Sequence, residues 1–177
     1  MMTKMEIDRA HEDALKAFAL AGIALTEAEK GRIEFADFGL SEFPQTGLTI
    51  LTYVNTARCC AKELILSPGQ TCPEHRHPAV DGQPGKEETF RCRQGTVYLY
   101  VEGAATPEPY CRPPKGHEAW YTVWREIVLQ PGEQYTLGPD TKHWFQGGPE
   151  GAVVSEFSTR SRDEADVFTD PAIRRVG

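Results

Sequence analysis

The chain has 177 residues, 40% of them hydrophobic and 25% charged, which fits one soluble globular domain able to bury a core without disulfides or metals. A formal charge of −7, from 19 basic against 26 acidic side chains, and the lack of a basic stripe interleaved with aromatics speak against nucleic acid as a partner. The longest apolar run, Ala17 to Leu25, is nine residues, too short for a bilayer, and Met1–Glu6 carries no apolar signal core, so no membrane partner is expected.

Residues 3 to 30 form the helical stretch. Ile7, Ala10, Ala14, Leu15, Phe18 and Leu25 fall on one stripe between charged residues. Gly22 interrupts or ends that helix, and Thr26 reads as the N-cap of a short second one. His11 is expected at the helix surface. The chain is thus divided into an N-terminal helical segment, 1–31, packing on a β domain, 32–177.

From about residue 32 the pattern changes to short strands and turns. Candidate strands are Ile33–Phe38, Leu48–Val54, Cys60–Leu66, Glu87–Arg93, Val97–Val101, Val123–Leu129, Gln134–Leu137, His143–Gln146 and Val153–Phe157. Turn signals between them include Ser67-Pro68-Gly69, Gln94-Gly95, Gln130-Pro131-Gly132, Gly138-Pro139-Asp140 and Gly147-Gly148-Pro149. Strands at this spacing predict an all-β antiparallel sandwich or small barrel. Pro78–Gly85 and the Pro-rich Thr106–His117 are longer loops, suited to a site wall or to a surface excursion. The five cysteines, at 59, 60, 72, 92 and 111, contain no CxxC pair and are expected as reduced thiols in the cytoplasm.

Three segments carry chemistry. In Gly69-Gln-Thr-Cys-Pro-Glu-His75-Arg-His77, a strand would point both imidazoles to one face because side chains alternate. In Lys86-Glu-Glu88-Thr-Phe90-Arg-Cys92-Arg-Gln-Gly95, Glu88 shares its face with apolar Phe90 and Cys92. It is therefore carried inward, while Glu87 stays in solvent. A lone buried carboxylate is costly, and a metal ion would offset that cost. In the third segment a turn at Gly138-Pro139-Asp140 delivers His143, with Phe145 on the same face. Three imidazoles and one carboxylate suit Mn, Fe, Co, Ni or Zn better than Ca or Mg. His117 lies in the Pro-rich loop within possible reach, and Cys72 reads as a small core thiol.

These segments resemble the two cupin motifs. Gly69 stands before His75 with five residues between them, and six residues separate Glu88 from Gly95, which favours Glu88 over Glu87. The gap from His77 to Glu88 is longer than the family's, which is attributed to an inserted loop, 78–87. In the second motif Gly138 and Asp140 replace the usual Pro and Gly, and Gly147 stands where an Asn is common. Within the cupins, Ser67–His77, the run KEETFRCRQG from Lys86 to Gly95, and Ser155–Asp163 look like the D-lyxose isomerase family, over about residues 50 to 175. That resemblance implies a cupin jelly-roll β-barrel and an aldose–ketose isomerase of free sugars. The reaction expected is D-lyxose to D-xylulose, and also D-mannose to D-fructose, with a divalent metal, Mn²⁺ first, and a homodimer.

Isomerisation moves one proton between C1 and C2 and another between O1 and O2. It needs an electrophile at the oxygens and an acid/base group at the carbons. Lys86 lies two residues before Glu88, about 6 to 7 Å along a strand on the same face, where burial would lower its pKa; the alternative is a loop-end lysine in water. Glu156 is the carboxylate base that the resemblance favours, although its facing is ambiguous by pattern. Lys62 and Arg160 are expected to contact sugar hydroxyls or the enediolate. The competing readings are a cupin dioxygenase with His/Glu-bound Fe(II), a non-enzymatic sugar-binding cupin, and a storage-like cupin that has lost its metal.

Overall fold

The computed structural model describes residues 2–174. Residues 1 and 175–177, at the outer ends of the two segments drawn from the sequence, lie outside the described residues. Helix α1 spans Lys4–Leu20 and helix α2 Glu27–Lys30. Each begins with a capping box, Thr3 with Glu6 and Thr26 with Glu29, so orphan N–H groups at both helix starts are satisfied reciprocally. The chain leaves α1 at Ala21-Gly22, where Gly22 takes φ +69°. His11 is half-buried rather than at the surface. Its Nε2 meets the Lys30 carbonyl oxygen at 2.8 Å and ties the two helices together.

Nine strands follow among the described residues: β1 Glu34–Ala36, β2 Leu48–Asn55, β3 Cys60–Leu66, β4 Thr71–Arg76, β5 Glu88–Val101, β6 Arg125–Leu129, β7 Gln134–Leu137, β8 His143–Ser158 and β9 Val167–Phe168. All pair antiparallel in one curled sheet. One path runs β1-β2-β3-β8-β4-β9, and β5 pairs with β6, β7 and β8. The long strands β5 and β8 wrap both sides of the barrel. The first part of β5 and the last part of β8 lie beside β7 and β3, and their other halves lie beside β6 and β4. No helix among the described residues is long and apolar enough to cross a membrane.

Two sequence expectations are corrected here. Gln94-Gly95 and Gly147-Gly148-Pro149 do not separate strands; they lie inside β5 and β8. Register shifts between Cys92 and Gln94 and between Gly95 and Val97 change which residues face the interior. Before the bulge Glu88, Phe90 and Cys92 point inward, and after it Val97, Leu99 and Val101 do. The same switch takes β8 from His143 and Phe145 to Ala152, Val154 and Glu156. Strand β4 is absent from the strands that alternation predicts, because TCPEHR shows no apolar alternation, although the His-x-His spacing points to an extended stretch there. Its Pro73 sits where the β4–β8 register is irregular, so no ladder bond is lost to the missing N–H.

The interior is an apolar cluster that includes Leu64, Phe90, Leu99, Phe145 and Val154. Outside the barrel, Ala14 and Phe18 of α1 cover Leu51, Ile65 and Val153. On another face the loop around Cys111 and Tyr121 covers Tyr100 and Trp144, whose rings stack 3.9 Å apart. A barrel filled with apolar side chains at one end leaves the polar interior side chains gathered at the other.

Gly95 is the bulge's requirement. Its φ of +71° suits glycine, and a Cβ there would lie 2.1 Å from the Gly151 carbonyl oxygen, a backbone atom with no easy retreat. Gly95→Ala should therefore lower unfolding stability of the metal-free protein by about 2 kcal/mol or more. Urea denaturation checks this, and an unchanged midpoint would contradict the bulge as a fixed element.

Candidate metal centre

The His-x-His pair straddles the end of β4, with His75 inside the strand and His77 just past it, and β8 begins with His143, which lies opposite His75 in the ladder. That register brings the His75 and His143 rings to 4.3 Å between centroids and the His75 and His77 rings to 4.8 Å. One nitrogen from each of the three imidazoles lies within 4.8 Å of the others. Glu88, 1% exposed at the start of β5, places Oε1 3.2 Å from His77 Nε2 and 3.1 Å from His143 Nε2. The four residues drawn from the motifs thus converge on one buried point.

The orientation of the rings fits a metal ion. His75 Nδ1 lies 2.8 Å from the Pro73 carbonyl, His143 Nδ1 2.9 Å from the Thr141 carbonyl, and His77 Nδ1 2.5 Å from Asp166 Oδ1. With Nδ1–H donating outward, Nε2 of His75 and of His143 turns its lone pair inward, and Nε2 of His77, 3.2 Å from Glu88 Oε1, does so once a metal displaces its proton. Among the described side chains, His143 Nε2 is a buried nitrogen with no hydrogen-bond partner, since the nearby Glu88 oxygen lacks the required geometry. An inward-facing imidazole nitrogen left bare is what a metal ligand requires and what a purely structural histidine avoids.

Lys86 is buried, not in water, with Nζ 2.7 Å from Glu88 Oε2 and 3.1 Å from Glu156 Oε1. Burial alone would lower its pKa, as the sequence leads one to expect. The Glu156 and Glu88 carboxylates outweigh burial and hold it well above the ordinary lysine value, which corrects that expectation. Glu156 faces inward from β8, 4% exposed, and also accepts a hydrogen bond from Ser158 Oγ. Lys62, its neighbour in the ladder, is buried with Nζ 3.0 Å from Ser161 Oγ and from the Asp163 carboxylate. Burial resists the charge on Asp163, but Lys62 outweighs it and holds the carboxyl well below its usual range. Glu87 is exposed, as its strand parity requires.

Six of these side chains (Lys62, His75, His77, Lys86, Glu88 and Glu156) line an inner cavity of about 40 Å³, with Asp163, Asp166 and Phe168 on its wall. Arg160 does not reach it. It is exposed and lines an adjoining outer cavity of about 220 Å³ with Arg58, Gln83 and Arg162. His77, Lys86 and Asp166 border both cavities. The inserted loop supplies Pro78, Val80, Gln83 and Pro84 to the outer wall, so it shapes the approach to the centre. His117 is held by Asp170 at 2.7 Å and faces Glu42 at 3.5 Å, apart from the other three imidazoles. Cys72 is a core residue, 3% exposed.

Asp163 and Asp166 are site residues that the sequence reading missed. Asp163 opens a short 3₁₀ turn, Asp163–Ala165, and Asp166 follows it, in a polar segment with no periodicity, and only the fold brings them to Lys62 and His77. The acidic spacing in Ser161–Asp166 is the signal present, and it is indistinguishable from a solvated loop until the register of β9 against β4 is known.

A family model described as D-lyxose isomerase matches residues 24–177. The chain is 62% identical over 176 residues to D-lyxose/D-mannose isomerase of Thermosediminibacter oceani, covering 99% of this chain and 97% of that protein. It is 58% identical over 175 residues to D-lyxose ketol-isomerase of Cohnella laeviribosi, covering 99% and 96%. Among solved structures it resembles L-ribose isomerase of Acinetobacter sp. DL28 in complex with L-ribose, with a TM-score of 0.83 at 18% identity over 97% of this chain and 94% of that one. At that identity the likeness shows the fold, which is cupin-like.

The ionisation of the group sets a test. Burial opposes a charge on His77, but Glu88 outweighs it and, with the Asp166 hydrogen bond, lifts its pKa to about 9. A metal-free site is then protonated at His77 below pH 9, and a metal must displace that proton. Titration calorimetry in buffers of different ionisation enthalpy should show about one proton released per Mn²⁺ at pH 7.5. Affinity should rise about tenfold per pH unit and level off above pH 9. No proton release at pH 7.5 would exclude His77 as a ligand.

Proposed function

Because the chain belongs to the D-lyxose isomerase family, whose members among its relatives are ketol-isomerases, we propose that this sugar isomerase interconverts D-lyxose and D-xylulose, with D-mannose and D-fructose as a second pair. The oxygenase, sugar-sensing and storage readings give way, since relatives 55 to 62% identical over 99% of the chain carry isomerase names. The observation that carries the chemical reading is Lys86 bridging Glu88 of the ligand group and Glu156 beside it.

His75, His77, Glu88 and His143 are the residues proposed to hold a divalent metal, Mn²⁺ first, with Fe, Co, Ni or Zn compatible with the same donors. Such an ion supplies Lewis-acid polarisation of the sugar carbonyl when bound. Glu156 is the proposed base: its carboxylate takes the proton from C2 of the open-chain aldose and returns it to C1. A single carboxylate suffices because the two carbons are adjacent in one plane of the enediol. Lys86, kept charged by its two carboxylates, donates hydrogen bonds to the negative charge developing on the sugar oxygens and relays to O1 the proton that leaves the O2 hydroxyl, which completes the isomerisation. Lys62 in the inner cavity and Arg160 at the outer one are the proposed contacts to sugar hydroxyls. Apolar side chains around the inner cavity, among them Phe38, Phe90 and Phe168, limit the water that could reprotonate the intermediate.

A homodimer and a cytoplasmic setting complete the reading. Tyr53, Val54 and Phe157, exposed by 37%, 40% and 51% near the ends of β2 and β8, offer apolar surface for a second copy. None of the five cysteines is in a disulfide, in keeping with a reducing compartment.

The test is to strip the protein with chelator, restore Mn²⁺, and measure ketose formed from D-lyxose and D-mannose. Activity should return with metal and be greater on lyxose. Glu156→Gln should lower kcat by about 10² to 10⁴, a far larger change than the one in Mn²⁺ affinity. Absence of ketose from every pentose and hexose, with metal fully bound, would sink the reading.

A further inference from the structure

His75 and His143 are oriented by backbone carbonyls two residues upstream, Pro73 at 2.8 Å and Thr141 at 2.9 Å. Those acceptors are local and come with the strand. His77 differs: its Nδ1 donates to Asp166 Oδ1 at 2.5 Å, a carboxylate 89 residues further along the chain. Both side chains are largely buried, 8% and 10% exposed.

We propose that Asp166 is a positioning residue of the metal centre, which fixes the ring of His77 with Nε2 inward and couples metal binding to docking of the C-terminal segment 161–170. The inference rests on the reading of the three imidazoles and Glu88 as a metal centre. His77 lies just beyond the end of β4, where the ladder no longer constrains its ring, so an acceptor from elsewhere has to. An ionised carboxylate behind an imidazole fixes the tautomer and strengthens the opposite nitrogen as a donor.

Asp166 is delivered by the chain around it. The turn Asp163–Ala165 precedes it, and β9 follows with Phe168 opposite His75 and Val167 opposite Arg76. Thr169 then anchors on Glu74, through its N–H to the carbonyl at 3.0 Å and its hydroxyl to the carboxylate at 2.6 Å. The Phe168 ring lies 5.3 Å from that of His75. Two of the three imidazoles are thus braced from the same tail. A contact that organises the site for metal is, by linkage, strengthened when metal binds.

The experiment uses the full chain, stripped of metal and titrated with Mn²⁺ alone. Affinity is read by chelator competition, and hydrogen exchange is followed in residues 161–170 with and without Mn²⁺. Asp166→Asn keeps the shape but loses the charge. It should bind Mn²⁺ about 10- to 100-fold more weakly, and Mn²⁺ should protect its tail less than it protects the wild-type tail. Asp163→Asn, which loosens the same segment at Lys62 but leaves the His77 ring its acceptor, should weaken Mn²⁺ binding clearly less than Asp166→Asn does. Should Asp166→Asn not fold, Asp166→Ser carries the same test. Wild-type affinity in the Asp166 variant would overturn the proposal. So would equal weakening in the Asp163 variant, which would assign the effect to loss of docking in general. If the wild-type chain itself binds no Mn²⁺, the metal-centre reading fails, and this one with it.

Discussion

Desolvating a carboxylate to the depth of Glu88 costs several kcal/mol unless other charges and donors surround it, and the arrangement of the polar end of the barrel follows from meeting that cost. Burial alone would lift its pKa. Lys86, His77 and His143 together reverse that and hold it well below the usual carboxylate range. Lys86 in turn is buried, and it stays charged because Glu156 and Glu88 flank it. Each group is tolerable only because its neighbours are present, so these side chains form one electrostatic unit rather than a set of pairs.

That unit depends on strand register. Glu88 and Glu156 face the same interior although they sit on strands β5 and β8 that both change facing along their length. Without the bulges, the parity that brings His143 and Phe145 inward would send Glu156 outward. Gly95, pressed against Gly151, is therefore a structural condition for this gathering of polar side chains even though it lies seven residues along the strand from Glu88. The glycine spacing seen in the sequence as part of a motif has this physical content.

Much of this was legible before any coordinates. The capping residue Thr26, the strands Cys60–Leu66 and Gln134–Leu137, and the inward facing of Glu88 with Phe90 and Cys92 follow from local pattern, and the structure agrees. The bulges were not legible, because Gln94-Gly95 within a strand and Gln-Gly at a turn are the same letters. Lys86 was placed near Glu88 by alternation, but its charge state depends on Glu156, seventy residues away and invisible to a local argument. Asp166 was hidden for the same reason, and Arg160 was drawn closer to the centre than the fold puts it.

The charges around the inner cavity argue for the valence of an ion that could sit among these side chains. Its lining includes four carboxylates, Glu88, Glu156, Asp163 and Asp166, against two lysines, Lys62 and Lys86. With the imidazoles neutral, two negative charges remain, which a divalent cation would cancel and a monovalent one would not. Burial pushes the His75 pKa well below normal, so that ring offers a lone pair and no charge. His77 is the exception, lifted to about 9 between Glu88 and Asp166. A proton on that ring partly meets the same deficit, in the position where a metal would draw on Nε2. Proton and metal are thus alternative answers to one buried charge imbalance, and the stability of the site and its affinity for metal have the same origin.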